Sequence, residues 1–194
     1  MPKTEQQNQE LRDARREQIL RVATSIFARR GMAGTKISDI AKEAQLSHGL
    51  VYHYFSSKEE IFIELVRNAA ASSIEVIHMA NEQPGQAAEK MYWMTTQILQ
   101  SLQGESRLLY LLMMQASTSE AVPVEVKAIL KEHSPVMQTI PLIKEAQEDG
   151  EFRSEDPVTL ATTYYAFIQG LAMNKIQWED CPLPDADTIL KVMR

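Results

Sequence analysis

Cysteine is all but missing from this chain of 194 residues, and the single Cys181 excludes an internal disulfide framework. Seven glycines are too scattered to build a phosphate-cradling loop, and no GxSxG, Walker loop, GxGxxG, HExxH or CxxC occurs. The common catalytic and cofactor-binding signatures are therefore absent, and no enzyme activity, cofactor or metal is expected; His48 and His53, five apart, are not at helical zinc-ligand spacing. No apolar run reaches the roughly 18 residues of a membrane span, and Met1 to Glu10 has no signal-peptide core. These features lead us to expect a cytoplasmic protein with no membrane partner. Proline is absent between Pro2 and Pro84, which permits long helices there. Strand-like alternation and internal repeats are also missing, so the expected fold is all-α, about nine helices.

The net charge of −6 argues against a polyanionic partner until its distribution is considered. Leu11 to Lys58 holds nine Arg or Lys against four acids, +5, which leaves −11 for the remainder. A basic head on an acidic body is the footprint of a protein whose head alone meets nucleic acid.

Residues 1–12, polar and Gln/Glu-rich, read as a flexible tail. From Asp13 to Arg30, Ile19, Val22, Ala23, Ile26 and Phe27 recur at three- and four-residue spacing on one helical face, and Gly31 ends the helix. Thr35 is placed to cap a second helix, Lys36 to Ala44, whose Ile37, Ile40, Ala41 and Ala44 face inward. Gln45-Leu46 makes a turn, and Ser47 can cap a third helix, His48 to Tyr54. Ser56-Ser57-Lys58-Glu59 has capping-box spacing and opens a fourth, long helix. This is helix-turn-helix spacing, with motif residues 36–55. The boundary between head (13–72) and body (73–194) falls on the fourth helix.

Ile19, Ala23, Phe27, Gly31, Thr35, Ile40-Ala41, Ser47, Gly49, Tyr52, Phe55 and Ser57-Lys58-Glu59 together resemble the TetR family of bacterial transcriptional regulators over roughly Arg16 to Phe62. Gln45 departs from the family's usual turn glycine and carries strain of about 1 kcal/mol. The resemblance implies a DNA-binding regulator, commonly a repressor, that binds a palindromic operator as a homodimer and is released by a small hydrophobic or aromatic effector.

The residue chemistry fits that expectation. Thr35 and Ser47 cap helices, bind phosphate, or do both. Gly49 within a helix costs about 1 kcal/mol relative to Ala and allows close backbone approach. His48, Tyr52 and His53 carry polar tips suited to phosphates and base edges, Tyr54 is expected to pack into the head, and Lys36 and Lys58 complete the expected DNA-contacting set, Lys58 through phosphate. A helical protein-interaction adaptor without DNA binding is the competing reading, and it requires neither a basic head nor an exposed recognition helix.

In the body, Gln86 to Leu102 and Leu108 to Met114 are apolar on nearly every side and are expected to be central. Pro123, Pro135 and Pro141 predict one kinked helix or two broken ones across Val122 to Asp149. Asp156-Pro157 starts a helix running to about Trp178, and Asp185 to Arg194 reads as a short final helix. The expected dimer interface draws on Ala161, Tyr165, Ile168, Gly170, Leu171 and Ala172. The expected effector pocket draws on Met91, Trp93, Met94, Tyr110, Met113, Met114, His133, Met137 and Tyr164, because methionines and aromatics adapt to irregular apolar ligands.

Overall fold

The computed structural model describes residues 5–104 and 106–194, apart from the side chain of Asn8. Among these residues the chain forms ten helices and no strand: α1 (Glu5–Arg30), α2 (Ile37–Glu43), α3 (His48–Tyr54), α4 (Lys58–Asn81), α5 (Ala87–Ser101), α6 (Arg107–Thr118), α7 (Val124–Glu132), α8 (Pro135–Glu148), α9 (Pro157–Gln177) and α10 (Ala186–Leu190). The all-α expectation holds. The chain divides into two compact units, one comprising the residues up to Arg67 with Leu112–Lys127, the other Asn68–Leu111 with Ala128–Arg194.

The N-terminal unit is assembled on the inner face of α1, where Ile19, Ala23 and Phe27 are fully buried, as their spacing predicts. Phe27 meets Phe62 of α4 edge to face, ring centroids 5.2 Å apart, a geometry that aligns ring edge with π-face. Gly31 then leaves the helix at φ +67°, a left-handed conformation that costs glycine nothing, and its N–H closes on Phe27 O at 2.8 Å. Residues 5–12 of the segment expected as a tail are helical, because Glu, Gln and Arg favour helix and Gln6–Glu10 and Gln9–Asp13 pair at i,i+4. Residues 1–4 lie outside the described residues.

Two starts shift, the first by one residue and the second by two. Lys36, not Thr35, is the N-cap of α2, with its own N–H donating to Asp39 Oδ2 at 3.2 Å. α4 opens at Lys58 rather than Ser56; Ser57 Oγ accepts from Glu60 N at 3.1 Å, and Glu60 in turn accepts from both the amide and hydroxyl of Ser56 at 2.6 Å. Those bonds favour the ionised carboxylate and lower the pKa of Glu60.

In the C-terminal unit, α9 is the buried spine: Leu160, Ala161, Tyr164, Tyr165, Ile168 and Ala172 pack into a core with Met91, Met94 and Ile98 of α5 and Leu142 and Ile143 of α8. Asp156 caps it, accepting from Thr159 N at 2.9 Å, with Pro157 in the first turn. The proline-punctuated stretch resolves into two helices, broken at Ser134-Pro135, while Pro141 is accommodated inside α8. One expectation fails: α6 is not a fully buried helix. Only Leu112 and Ala116 are buried, and Leu108 to Leu111 stay partly accessible, since apolarity on every side does not supply neighbours on every side.

Candidate nucleic-acid interface

The pair α2–α3 is held by the side chains whose spacing marks it. Ile40 and Val51 are completely buried, Ile37, Ala41 and Ala44 nearly so, and Leu46 is half-buried. The turn between them needs a left-handed residue, and Gln45 supplies it at φ +54° without glycine's freedom. Leu46 N then reaches Ala41 O at 2.9 Å. Gln18 of α1 secures the assembly by donating to Ala44 O, the C-cap carbonyl of α2, at 2.8 Å.

Burying Val51 leaves the opposite side of α3 outward. Ser47 caps the helix as expected, accepting from Leu50 N at 3.2 Å, and it is exposed together with His48, Gly49, Tyr52 and His53. His48 and Tyr52, one turn apart, contact edge to face at 4.9 Å, so each ring limits the other's rotamers. Tyr52 stays 48% exposed, an apolar ring left in solvent. Nothing approaches within 4 Å of where a Cβ on Gly49 would sit. Lys36 is exposed, and a shallow groove runs beside α3, lined by Lys36, Ser38, His48, Tyr52, Ser56 and Glu59.

Two expected contacts are otherwise engaged. Thr35 is completely buried, with its hydroxyl donated to Gly31 O at 2.7 Å. Lys58 Nζ donates to Met32 O at 2.8 Å and Thr35 O at 3.0 Å, satisfying carbonyls of the α1–α2 connection. Both side chains therefore stabilise the loop. Tyr54 is half-buried against His53, while Phe55 is the fully packed aromatic, capped by the Arg16 guanidinium 4.6 Å above its ring. Arg16 also forms a two-pronged ion pair with Glu64. Sequence reading counted it only as part of the basic patch, since a partner 48 residues away leaves no local signal. Arg12, Arg15, Arg21, Arg29 and Arg30 remain exposed.

The profile of "Bacterial regulatory proteins, tetR family" matches residues 19–65, the segment that builds this helix pair and its supports. Over those residues the chain is similar to the TetR family. It is 44% identical over 55 residues to the HTH-type transcriptional repressor KstR2 of Mycobacterium tuberculosis, a match spanning 28% of each chain. It is 26% identical over 145 residues to the fatty acid metabolism regulator protein of Bacillus subtilis, 74% of each chain. Among solved structures, the ketosteroid transcriptional regulator KstR2 of M. tuberculosis superposes with a TM-score of 0.72 at 21% identity, covering 92% of this chain and 90% of that one. The fatty acid degradation regulator FadR of Bacillus halodurans gives 0.71 at 21% identity, covering 92% of each. At these identities the superpositions establish the shared fold.

The C-terminal unit departs from the expected site residues in two ways. Ala161, Tyr165, Ile168 and Ala172 are buried in the unit's own core, so they are not free to form a dimer interface. The outward side of α9 is Val158, Thr162, Ala166, Phe167 and Gly170, with Leu171 partly accessible. α9 is apolar on several faces, and periodicity alone selected the inward one. The pocket residues are also dispersed. Met91, Met94 and Tyr164 are completely buried, Met114 and Met137 are 40% and 57% exposed, and Met113 and Met114 belong to the N-terminal unit. Trp93, Tyr110 and His133 are partly accessible, His133 donating from Nδ1 to Ile129 O at 3.2 Å in the tautomer that carries a proton there. No helix among the described residues is long and apolar enough to cross a membrane.

Proposed function

We propose that this protein is a sequence-specific DNA-binding transcriptional regulator, a repressor released from a palindromic operator by a small hydrophobic or aromatic effector. It is a regulator rather than a catalyst, and it acts in the cytoplasm. The observation that carries the reading is the outward face of α3, where His48, Gly49, Tyr52 and His53 stand exposed above a buried Val51. Polar-tipped rings on a short helix, beside a residue with no side chain, suit a helix laid in the major groove. Lys36, Ser47, His48, Gly49, Tyr52 and His53 make the contacts, and Thr35 and Lys58 hold the loop behind them.

One such head covers few base pairs, and two half-sites about 34–36 Å apart require a two-fold homodimer. The exposed stripe of α9 supplies its apolar and small residues to that interface. The relatives' names support an apolar effector, one referring to ketosteroids and the other to fatty acids. α4, unbroken from Lys58 to Asn81, is the lever that transmits effector binding to the head.

Selection from random DNA is expected to return a palindrome. Tyr52→Ala is expected to weaken binding to that sequence at least tenfold in a gel-shift assay, with the circular dichroism spectrum unchanged; unaltered affinity would remove Tyr52 from the interface. A monomer at micromolar concentration in sedimentation would defeat the dimer.

A further inference from the structure

The N-terminal half of α1 sorts its charges onto two sides. Arg12, Arg15 and Arg16 stand at i, i+3 and i+4, and Ile19, seven residues after Arg12, carries the same side into the core of the head. Glu10, Asp13 and Glu17, at i, i+3 and i+7, occupy another side. No acid therefore lies three or four residues from Arg12 or Arg15, the spacings at which a helix pairs its charges. Among the described residues neither forms an ion pair, whereas Arg16 pairs with Glu64 and Arg30 lies 3.7 Å from Asp39. Arg12 and Arg15 are both exposed, and as like charges one turn apart they oppose the helix that carries them. An anion brought to this side would remove that repulsion.

Arg15 is also held in place. Its Nη1 donates to Gln18 Oε1 at 2.7 Å, and Gln18 Nε2 donates to Ala44 O, the C-cap carbonyl of α2, at 2.8 Å. A carbonyl accepts only from the amide nitrogen of Gln18, so the amide oxygen is left for the guanidinium, and the two bonds run in series from the helix pair to Arg15. That one bond occupies only part of the guanidinium's fork of donors. Ala44 precedes Ser47, the N-cap of α3, by three Cα steps, at most about 11 Å. Arg15 is thereby tied close to the end of α3 where Ser47 and His48 stand exposed. Arg16 reaches the other end, its guanidinium 4.6 Å above the ring of Phe55, so this level of α1 spans α3 from end to end.

Guanidinium groups without a carboxylate partner, beside a helix that enters a DNA groove, match the forked geometry of phosphate. Such contacts fix a protein's register on the duplex and carry no base information. We propose that Arg12 and Arg15 bind backbone phosphates of the operator beside the groove that α3 enters, with Gln18 as the positioning residue for Arg15. The partner is the DNA backbone, because this side of α1 is cationic, pairs Arg12 and Arg15 with no acid and adjoins the exposed surface of the helix pair. The proposal rests on the DNA-binding reading above and adds to it a contact outside the helix pair and its loop.

The test is the salt dependence of binding by the full-length protein, measured by fluorescence anisotropy on the selected palindrome and on a scrambled duplex of equal length. Each phosphate contact contributes about 0.9 to the slope of log K against log salt, so Arg12→Gln with Arg15→Gln is expected to flatten the slope by about 1.8 per head, with the circular dichroism spectrum unchanged. Affinity should fall at least tenfold for both duplexes and leave their ratio within about twofold, because a phosphate contact is blind to sequence. Lys127→Gln with Lys131→Gln, the same charge change on α7, is expected to keep the wild-type slope. Gln18→Met is expected to weaken binding at least threefold in the wild type and not further in Arg15→Gln; an equal loss in both would remove its positioning role. A wild-type slope in the arginine variant, equal flattening by the lysine variant, or a loss confined to the palindrome would each overturn the proposal. So would an arginine variant that sediments as a monomer where the wild type is a dimer, since this side would then serve a second copy. A wild type that binds neither duplex removes the DNA reading and this contact together, whereas a steep wild-type slope shared by the arginine variant removes the contact alone.

Discussion

In the N-terminal unit, Ile19, Ala23, Phe27, Ile40, Val51 and Phe62 are buried and carry no side-chain hydrogen-bonding group, and apart from the buried Thr35 the polar ties come from partly exposed side chains: Arg16 to Glu64, Gln18 to Ala44 O, Lys58 to Met32 O and Thr35 O. In the C-terminal unit the ties run through the interior, Tyr164 to Thr95 and Tyr165 to Thr139, between side chains that are themselves buried. Both units are built from amphipathic helices, yet they achieve specificity differently. The head relies on shape, with an edge-to-face Phe27–Phe62 pair and alanines where helices approach. The C-terminal core adds directional bonds that fix which residues of α9 meet α5 and α8, because a buried hydroxyl without its partner is penalised.

The comparison breaks most sharply at Phe27. Phe27→Ala removes a completely buried ring and its Phe62 contact. It is expected to cost about 3–5 kcal/mol, read by urea unfolding, because the vacated space cannot fully collapse. Much of a typical domain's stability would go with it. Operator binding should be lost with the head, and a loss under about 1 kcal/mol would mean that the head's interior repacks freely.

Tyr164→Phe sharpens the other side of the contrast. It preserves nearly all the buried volume and removes one interior bond, so the expected cost is about 1 kcal/mol in the same experiment. Thr95 Oγ1 loses a donor but keeps its own bond to Met91 O. A cost as large as that of Phe27→Ala would show the interior bonds dominating the stability of the C-terminal unit, whereas no cost at all would make them incidental to it.

The same contrast explains what the sequence made legible. Ile37, Ile40, Ala44 and Val51 announce the helix pair because each burial follows from spacing within one short segment, and once they point inward, His48, Gly49, Tyr52 and His53 must point out. Thr35 and Lys58 misled because their hydrogen-bonding capacity is used by nearby backbone carbonyls of a loop whose path no residue pattern specifies. Arg16 and Glu64 are separated by 48 positions, and Tyr164 and Thr95 by 69, so their pairing exists only after folding. On α9, Ala161 and Ala166 look alike in composition, but one is buried and the other exposed, since the helix is apolar over more than one face. The all-α fold was legible from helix signals alone; which side of each C-terminal helix faces inward was not.

The smallest effects come from two residues of the helix pair whose backbone preferences oppose their positions. Gln45 occupies the left-handed turn at φ +54°, where glycine is unstrained, while Gly49 occupies a helix, where alanine is better. Gly49→Ala finds open space for its Cβ and is expected to stabilise the free protein by about 1 kcal/mol. Gln45→Gly relieves turn strain and is expected to add roughly 0.5–1 kcal/mol, less whatever flexibility it gives the unfolded chain. Thermal melts would register both gains, and DNA affinity separates them. Gln45→Gly should leave affinity within about twofold, because Gln45 enters the fold only through its backbone turn. Gly49→Ala should lower affinity while raising stability, because the added methyl occupies the space through which the α3 backbone approaches DNA. If both variants gain stability and both keep full affinity, the glycine serves no close approach, and the outward face of α3 reads DNA through its rings alone.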